Sequence, residues 1–133
     1  MRPLKRSAVV LVASSLLLSA CGGDTDDGDS SGGFACTTEA VASVQVTVVN
    51  VMGVAALDAT VTFSVDGGAE EDAECVRTAA AGGCEEWVAG FERAGAFVVR
   101  AESADGAAKD EESVTVTKGE CHVTTQTVTL TLM

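Results

Sequence analysis

The chain has 133 residues, of which 8 are basic and 20 are acidic, and only 4% of its side chains are aromatic. No basic stripe is available to neutralise phosphates, so this composition argues against binding to nucleic acid. The same acidity argues against attraction to anionic lipid headgroups and favours a soluble, solvated surface.

The first twenty residues have the parts of a secretory signal peptide. Three basic residues form a positive start, and residues 8–18 ("AVVLVASSLLL") form an apolar core. This core is shorter than the roughly 20 apolar residues that a membrane-spanning helix needs. The small residues Ser19 and Ala20 follow the core. We therefore predict that residues 1–20 are a signal peptide, removed on export.

The cysteine after this core has a special context. Leu18-Ser19-Ala20-Cys21 resembles the lipobox of bacterial lipoproteins. The resemblance implies that Cys21 receives a diacylglyceryl thioether and becomes the first residue of the mature chain. Two or more acyl chains anchor a protein stably, since each buried CH₂ contributes about 0.8 kcal/mol. Gly22, rather than an aspartate, follows Cys21, which favours the outer membrane where the host has one and otherwise the cell membrane surface.

Residues 21–35 make up the lipidated cysteine and an acidic Gly/Asp/Ser tether. Residues 22–33 ("GGDTDDGDSSGG") offer nothing apolar to bury, which predicts a flexible, self-repelling segment. An EF-hand loop here is excluded because Ala35 stands where a bidentate glutamate is required. Loss of residues 1–20 removes three basic residues and leaves a formal net charge of −15.

Residues 36–133 are expected to form one domain. Five runs alternate apolar and polar side chains, rich in Val and Thr, which indicates strands with one buried face. Two weaker strands lie near residues 73–77 and 84–89. The five runs are residues 43–48, 60–65, 97–102, 113–117 and 127–132. Seven short strands between glycine-containing turns predict an all-β, seven-stranded antiparallel β-sandwich of prealbumin-like or Ig-like type. A closed barrel is the alternative.

Three segments carry a family resemblance. "ASVQVTVVNVMGVAALDATVTFSVDGG" resembles the opening of carboxypeptidase regulatory-like domains, which have a transthyretin-type β-sandwich. "VAGFERAGAFVVRAESADG" is similar to the Gly-x-x-x-x-Gly-x-aromatic segment of that family, carried here by Gly90, Gly95 and Phe97. "ECHVTTQTVTLTL" resembles the last strand of cysteine-containing versions in bacterial lipoproteins. The resemblance implies a non-catalytic module and supplies no catalytic residues.

Four cysteines besides Cys21 would meet an oxidising compartment after export. They can pair in three ways. We favour Cys75–Cys84, which closes a local hairpin, and Cys36–Cys121, which ties the segment before the first strand to the start of the last one. A zinc site is the competing interpretation, but no C-x₂-C pair exists and His122 is the only histidine. We therefore expect no metal and no cofactor.

Two features are candidates for function. The acidic loop 66–74 ("DGGAEEDAE") has carboxylates that could bind Ca²⁺, so a calcium-dependent binding module is the alternative function. Trp87 and Phe91 are possible contact residues, because Trp87 alternates out of phase with Cys84 and would point outward if Cys84 points inward. A core position for Trp87 is favoured nevertheless, since it is the only tryptophan of an aromatic-poor chain.

No constellation for catalysis is recognisable. Cys121 and His122 are adjacent, and in a strand neighbouring side chains point to opposite faces, so the two could not easily meet; there is also no G-x-S-x-G segment. The sequence therefore predicts a non-enzymatic lipoprotein of the cell envelope. It would be anchored to the membrane through Cys21, and its β-sandwich would serve as a structural or binding module for an unknown envelope protein or glycan.

Overall fold

The computed structural model describes residues 36–133, which form eight β-strands in two packed four-stranded sheets. No helix in these residues is long and apolar enough to cross a membrane. The strands are β1 (Ala42–Asn50), β2 (Thr60–Val65), β3 (Glu71–Asp72), β4 (Glu74–Thr78), β5 (Cys84–Phe91), β6 (Gly95–Glu102), β7 (Lys109–Val116) and β8 (Gln126–Leu132).

The two sheets have the strand orders β4-β5-β1-β8 and β3-β2-β6-β7. In the first sheet β1 is antiparallel to β5 and parallel to β8, so this sheet is mixed. The second sheet is antiparallel throughout. The sheets also meet along one side, where the backbone N–H of Thr131 in β8 donates to Asp110 Oδ2 in β7 at 2.8 Å.

The core lies between the sheets and follows the period-two pattern of the strands. Its members are the inward side chains of alternating residues, which bury apolar area on both sheets. Phe63 and Phe97 stack with ring centroids 5.8 Å apart and account for two of the few aromatic rings. The fully buried large side chains are those of Phe97, Leu130, Val44, Val46, Val48, Val99 and Val116.

The prediction of seven antiparallel strands is wrong in two respects. An eighth strand, β3, has only two residues, and both are charged, so no apolar alternation marked it. The pairing of β1 with β8 is parallel, in register from Val44↔Gln126 to Asn50↔Leu132. Parallel neighbours need a long connection, and here the rest of the domain separates the two strands. Alternation within a strand is the same whether its neighbour is parallel or antiparallel, so the sequence pattern does not show the direction of pairing.

The edge strand β7 begins earlier than its pattern indicated. The sequence predicted a strand over residues 113–117, whereas β7 starts at Lys109. Its first residues, Lys109 to Glu112, are charged and mostly exposed, so they lack a buried face that would produce alternation. Charged side chains on an edge strand hinder pairing with other chains, which is one way in which soluble β-proteins avoid aggregation.

A pair of irregularities in β4 and β5 changes the phase of their side chains. The register runs Cys75↔Trp87, Arg77↔Glu86 and Thr78↔Cys84, with shifts between these pairs. Each shift inserts an unpaired residue, as in a β-bulge, and reverses the alternation beyond it. Cys84 and Trp87 are therefore both buried, although they are three residues apart.

The sandwich has two ends that differ in their loops. We call the end where β1 and β8 begin and β5 finishes the near end, because the preceding chain joins the domain there. The far end is where β1 and β8 finish, and it carries the loops 51–59, 79–83 and 103–108. The 51–59 loop contacts the end of the 79–83 loop, where β5 begins: the backbone N–H of Cys84 donates to the carbonyl of Leu57 at 2.8 Å.

Candidate functional site

The acidic segment 66–74 forms a turn and parts of two strands instead of one open loop. Asp66 has a φ of 52°, and its Oδ1 accepts the backbone N–H of Ala96 at 2.8 Å. Gly95 allows this contact, because a Cβ there would lie 2.7 Å from Asp66 Oδ2 and the φ of 143° is strained for other residues. Asp66 therefore fastens the β2–β3 turn to the start of β6.

The next carboxylates of this segment have arginine partners. Glu70 Oε2 pairs with Arg100 at 3.2 Å, and both oxygens of Glu71 accept Arg93 Nη1 at 2.8 Å. Exposed ion pairs of this kind contribute little to the free energy of folding, but they occupy oxygens that a cation would need. Within residues 36–133 no group of three His, Cys, Asp or Glu side chains is placed to hold a metal ion. The calcium hypothesis stays a prediction.

The two aromatic candidates lie in different environments. Trp87 is 5% exposed and faces Val46 of β1 in the core, which agrees with the core position favoured from the sequence. The outward orientation that simple alternation with Cys84 would give is not observed, because the irregular register of β4 and β5 reverses the alternation. Phe91 ends β5 at the near end and is 37% exposed. Phe91 is therefore the more accessible of the two rings, and the contact role of both residues stays a prediction.

Two disulfides join the pairs that the sequence analysis favoured. Cys75–Cys84 links the neighbouring strands β4 and β5, with Cα atoms 5.9 Å apart. Cys36–Cys121 links the segment before β1 to the β7–β8 loop, with Cα atoms 5.2 Å apart. Both separations lie in the usual range for disulfides. The second bond closes the near end of the domain.

Three polar side chains meet beside the Cys36–Cys121 disulfide at the near end. Thr37 Oγ1 is 2.9 Å from His122 Nε2, and His122 Nδ1 is 2.5 Å from Glu92 Oε1. We call Thr37, Glu92 and His122 the clasp. They come from the segment before β1, the β5–β6 loop and the β7–β8 loop, so their hydrogen bonds hold three separate parts of the chain together.

Glu92 is the centre of the clasp. Its Oε1 also accepts the backbone N–H of Val41 at 2.8 Å, and its Oε2 accepts that of Val123 at 3.3 Å. The hydrogen bond from Val41 is the main reason why the pKa of Glu92 lies below its ordinary value; partial desolvation opposes the shift, and His122 adds to it. Glu92 is held with a φ of 51°, an uncommon backbone conformation for a residue other than glycine.

The order of groups in the clasp is hydroxyl, imidazole and carboxylate, which is also the order in a base-activated nucleophile. A shallow pocket of about 370 Å³ adjoins it, lined in part by Lys118 and Glu39. The sequence did not predict Thr37 or Glu92 as partners of His122. They are 85 and 30 residues away from it, so only the fold brings them together.

A broader groove of about 620 Å³ crosses the outer face of the second sheet. Arg100 lies within it and pairs with Glu70 and Glu111, while Lys109 lies 3.7 Å from Glu102. The hydroxyls of Thr60 and Thr62 line the β2 side of the groove, and Ala101 and Ala104 also contribute to its wall. Such a surface suits a polar ligand with many hydroxyl groups better than an apolar one.

The far end exposes apolar side chains. In the loop after β1, Val51, Met52 and Val54 are 68%, 79% and 57% exposed. Met133, which follows β8, is 77% exposed at the same end, since Leu132 pairs with Asn50. Single exposed apolar residues are ordinary; here three of them lie within one four-residue turn.

Comparison with protein-family models, with curated proteins and with solved structures found no match for this chain. The structure supports an all-β domain of two four-stranded sheets, which is coarser than the carboxypeptidase regulatory-like family suggested by the sequence. That family assignment therefore stays a prediction.

The signal peptide, Cys21 and the acidic tether fall within residues 1–35, outside the described part of the chain. The lipid anchor and the envelope location inferred from them likewise stay predictions.

Proposed function

We propose that this chain is a lipoprotein of the cell envelope, held at the membrane by lipid on Cys21, whose β-sandwich is a non-enzymatic binding module. The observation that carries the proposal is the difference between the two ends of the domain. The preceding chain joins at the near end, which is fastened by the Cys36–Cys121 disulfide and the clasp. The far end, with exposed Val51, Met52 and Val54, points away from it.

The clasp serves a structural purpose in this proposal. Glu92 accepts hydrogen bonds from the backbone of Val41 and Val123 as well as from His122, so it orders the segment through which an anchor would hold the domain. Two of the three groups that donate to Glu92 are backbone N–H groups, so its carboxylate fixes the chain path as well as the imidazole. Two disulfides and a clasped terminus give the stiff scaffold that a small envelope domain with few aromatics needs.

The proposed module belongs with carboxypeptidase regulatory-like domains. The support is the resemblance of three sequence segments together with a two-sheet architecture. The far end suits an envelope protein, and the polar groove on the second sheet suits a glycan. A calcium-dependent module using the acidic segment is the alternative, and the pairing of Glu70 and Glu71 with arginines weighs against it.

Replacement of Cys21 tests the anchor. We expect the wild-type chain to fractionate with membranes and to carry an acyl mass on an N-terminal Cys21 peptide. Cys21→Ala is expected to move most of the protein into the soluble fraction, because no other described feature offers a stable lipid attachment. Cys36→Ala is the matched control, since it also removes one cysteine but leaves the lipobox intact. A Cys21→Ala protein that stays with membranes would contradict the proposal.

A further inference from the structure

We propose that the far end of the domain docks another protein, with the turn Val51–Val54 entering an apolar pocket of that partner. This inference rests on the proposed function and adds the chemistry of the partner and the residues that meet it.

The loops of the far end carry little charge in a strongly acidic protein, although the strand-end pair Glu102 and Lys109 borders one of them. The loops 51–59, 79–83 and 103–108 contain only two charged residues, Asp58 and Asp105. Asp105 is turned into its own loop, where its Oδ1 accepts from Ser103 Oγ at 2.6 Å and from the backbone N–H of Ala107 at 3.0 Å. Depletion of charge together with exposed methionine is typical of the centre of a protein–protein interface.

The exposed turn is built to hold its shape. Asn50 Oδ1 accepts the backbone N–H of Met52 at 2.9 Å and that of Val54 at 3.0 Å. The backbone N–H of Asn50 donates to the carbonyl of Val54 at 2.8 Å, and Gly53 supplies the positive φ of 77°. A turn that is already ordered loses little conformational entropy on binding, so its apolar side chains can contribute fully to affinity.

The chemistry of the turn excludes two kinds of occupant. Valine and methionine side chains offer no hydrogen bonds to the hydroxyl groups of a glycan, and no aromatic ring of the described residues is exposed beside them. A bilayer is disfavoured by charge, because the strongly acidic domain repels anionic lipid headgroups.

A second copy is also disfavoured. Two chains that would each carry a formal net charge of −15 after loss of residues 1–20 repel one another. A different protein with an apolar pocket satisfies both the low charge of the far-end loops and their exposed apolar side chains.

Site-specific photocrosslinking in cells that produce the full chain tests the proposal. A benzoylphenylalanine at Met52 is compared with one at Val76, an exposed apolar residue of the edge strand β4 that serves as the matched control. We expect one discrete protein adduct from position 52 and none from position 76. The adduct is expected to disappear when Val51→Asp and Val54→Asp are introduced together, since charge cannot enter an apolar pocket without a large cost.

The crosslinked protein is then purified and titrated against the unlipidated Cys21→Ala chain. Val51→Asp/Val54→Asp is expected to weaken the dissociation constant by at least about tenfold, whereas Val76→Asp changes it by less than about twofold. Adducts to phospholipid, to glycan or to a second copy would overturn the proposal. So would the absence of an adduct, or an equal loss of affinity in both variants.

Membrane fractionation of the same cells separates the two proposals. If the chain is in the membrane fraction but gives no adduct from position 52, only the docking proposal fails. If the chain is not anchored, the proposed function fails whatever the crosslinking result.

Discussion

Glu92 shows how one side chain can organise one end of a domain. It accepts backbone N–H groups on both sides of the near end and receives the imidazole of the only histidine. The segments before β1 and after β7 are irregular, and Glu92 accepts backbone N–H groups there that do not pair with a neighbouring strand. Loss of the carboxylate should therefore loosen two segments at once.

Replacement of Glu92 by glutamine is expected to lower the unfolding midpoint at about pH 7. The pKa of Glu92 in the folded chain lies below the ordinary value of 4.5, so its stabilisation is complete above that value. The stabilisation is lost as the pH falls through the lowered pKa. The difference between wild type and Glu92→Gln should therefore shrink between about pH 5 and about pH 3. Denaturant unfolding at several pH values measures this.

Glu120→Gln is the matched control, because Glu120 is an exposed carboxylate on the β7–β8 loop, which also carries His122 of the clasp. It is expected to change the unfolding midpoint little at any of these pH values. A difference between wild type and Glu92→Gln that is equally large at about pH 3 and about pH 7 would contradict the role given to the ionised carboxylate.

At the scale of strands, alternation along the chain predicted most elements of the fold. Val44, Val46 and Val48 were correctly given a buried face, because period-two burial is a local property of one strand. The parallel pairing of β1 with β8 and the shifted register of β4 and β5 depend on which strands become neighbours. No local pattern encodes that choice, so the orientation of Trp87 could not be predicted from its phase with Cys84.

The candidate site was predictable only where a residue type carried its own signal. Cysteine parity and position gave the two disulfides, since each residue has few possible partners. Thr37 and Glu92 are common residue types in polar segments, and their meeting with His122 needs the completed sandwich. The apolar residues of the 51–54 turn were visible in the sequence, but their exposure was not.

The two disulfides are expected to differ in their contribution to stability. Cys36–Cys121 spans 85 residues and Cys75–Cys84 spans 9, so chain-entropy estimates are about 4.5 and about 3 kcal/mol. We expect the double variant Cys36→Ala/Cys121→Ala to lose more free energy of unfolding than Cys75→Ala/Cys84→Ala. Both are measured by denaturant unfolding against the Cys21→Ala parent. An equal loss, or a larger loss in the second variant, would contradict this order.

At the scale of the whole molecule, charge is distributed unevenly. The mature chain is expected to carry a formal net charge of −15, yet the far-end loops hold only Asp58 and Asp105. Self-repulsion among the remaining carboxylates destabilises the compact state and is screened by any added salt. Cations should therefore act on this protein mainly through ionic strength.

Calcium and magnesium at equal ionic strength are expected to raise the melting temperature of the Cys21→Ala chain by the same small amount. Glu70 and Glu71 are paired with Arg100 and Arg93, so two of the five carboxylates of the acidic segment already have cationic partners. Thermal unfolding with each cation and with a chelator measures this. A rise with millimolar calcium that magnesium does not reproduce would support the calcium-dependent alternative.

The Cys36–Cys121 disulfide also decides how the domain would bear a mechanical force. A force applied at residue 36 is transmitted along two paths. One runs directly along the chain into β1, and the other runs through the disulfide to Cys121 and then into the start of β8. These two strands are parallel neighbours in one sheet, so both are loaded from the same end and in the same direction. Their shared ladder of hydrogen bonds is then not sheared, and the covalent link resists the stretching of the chain before β1.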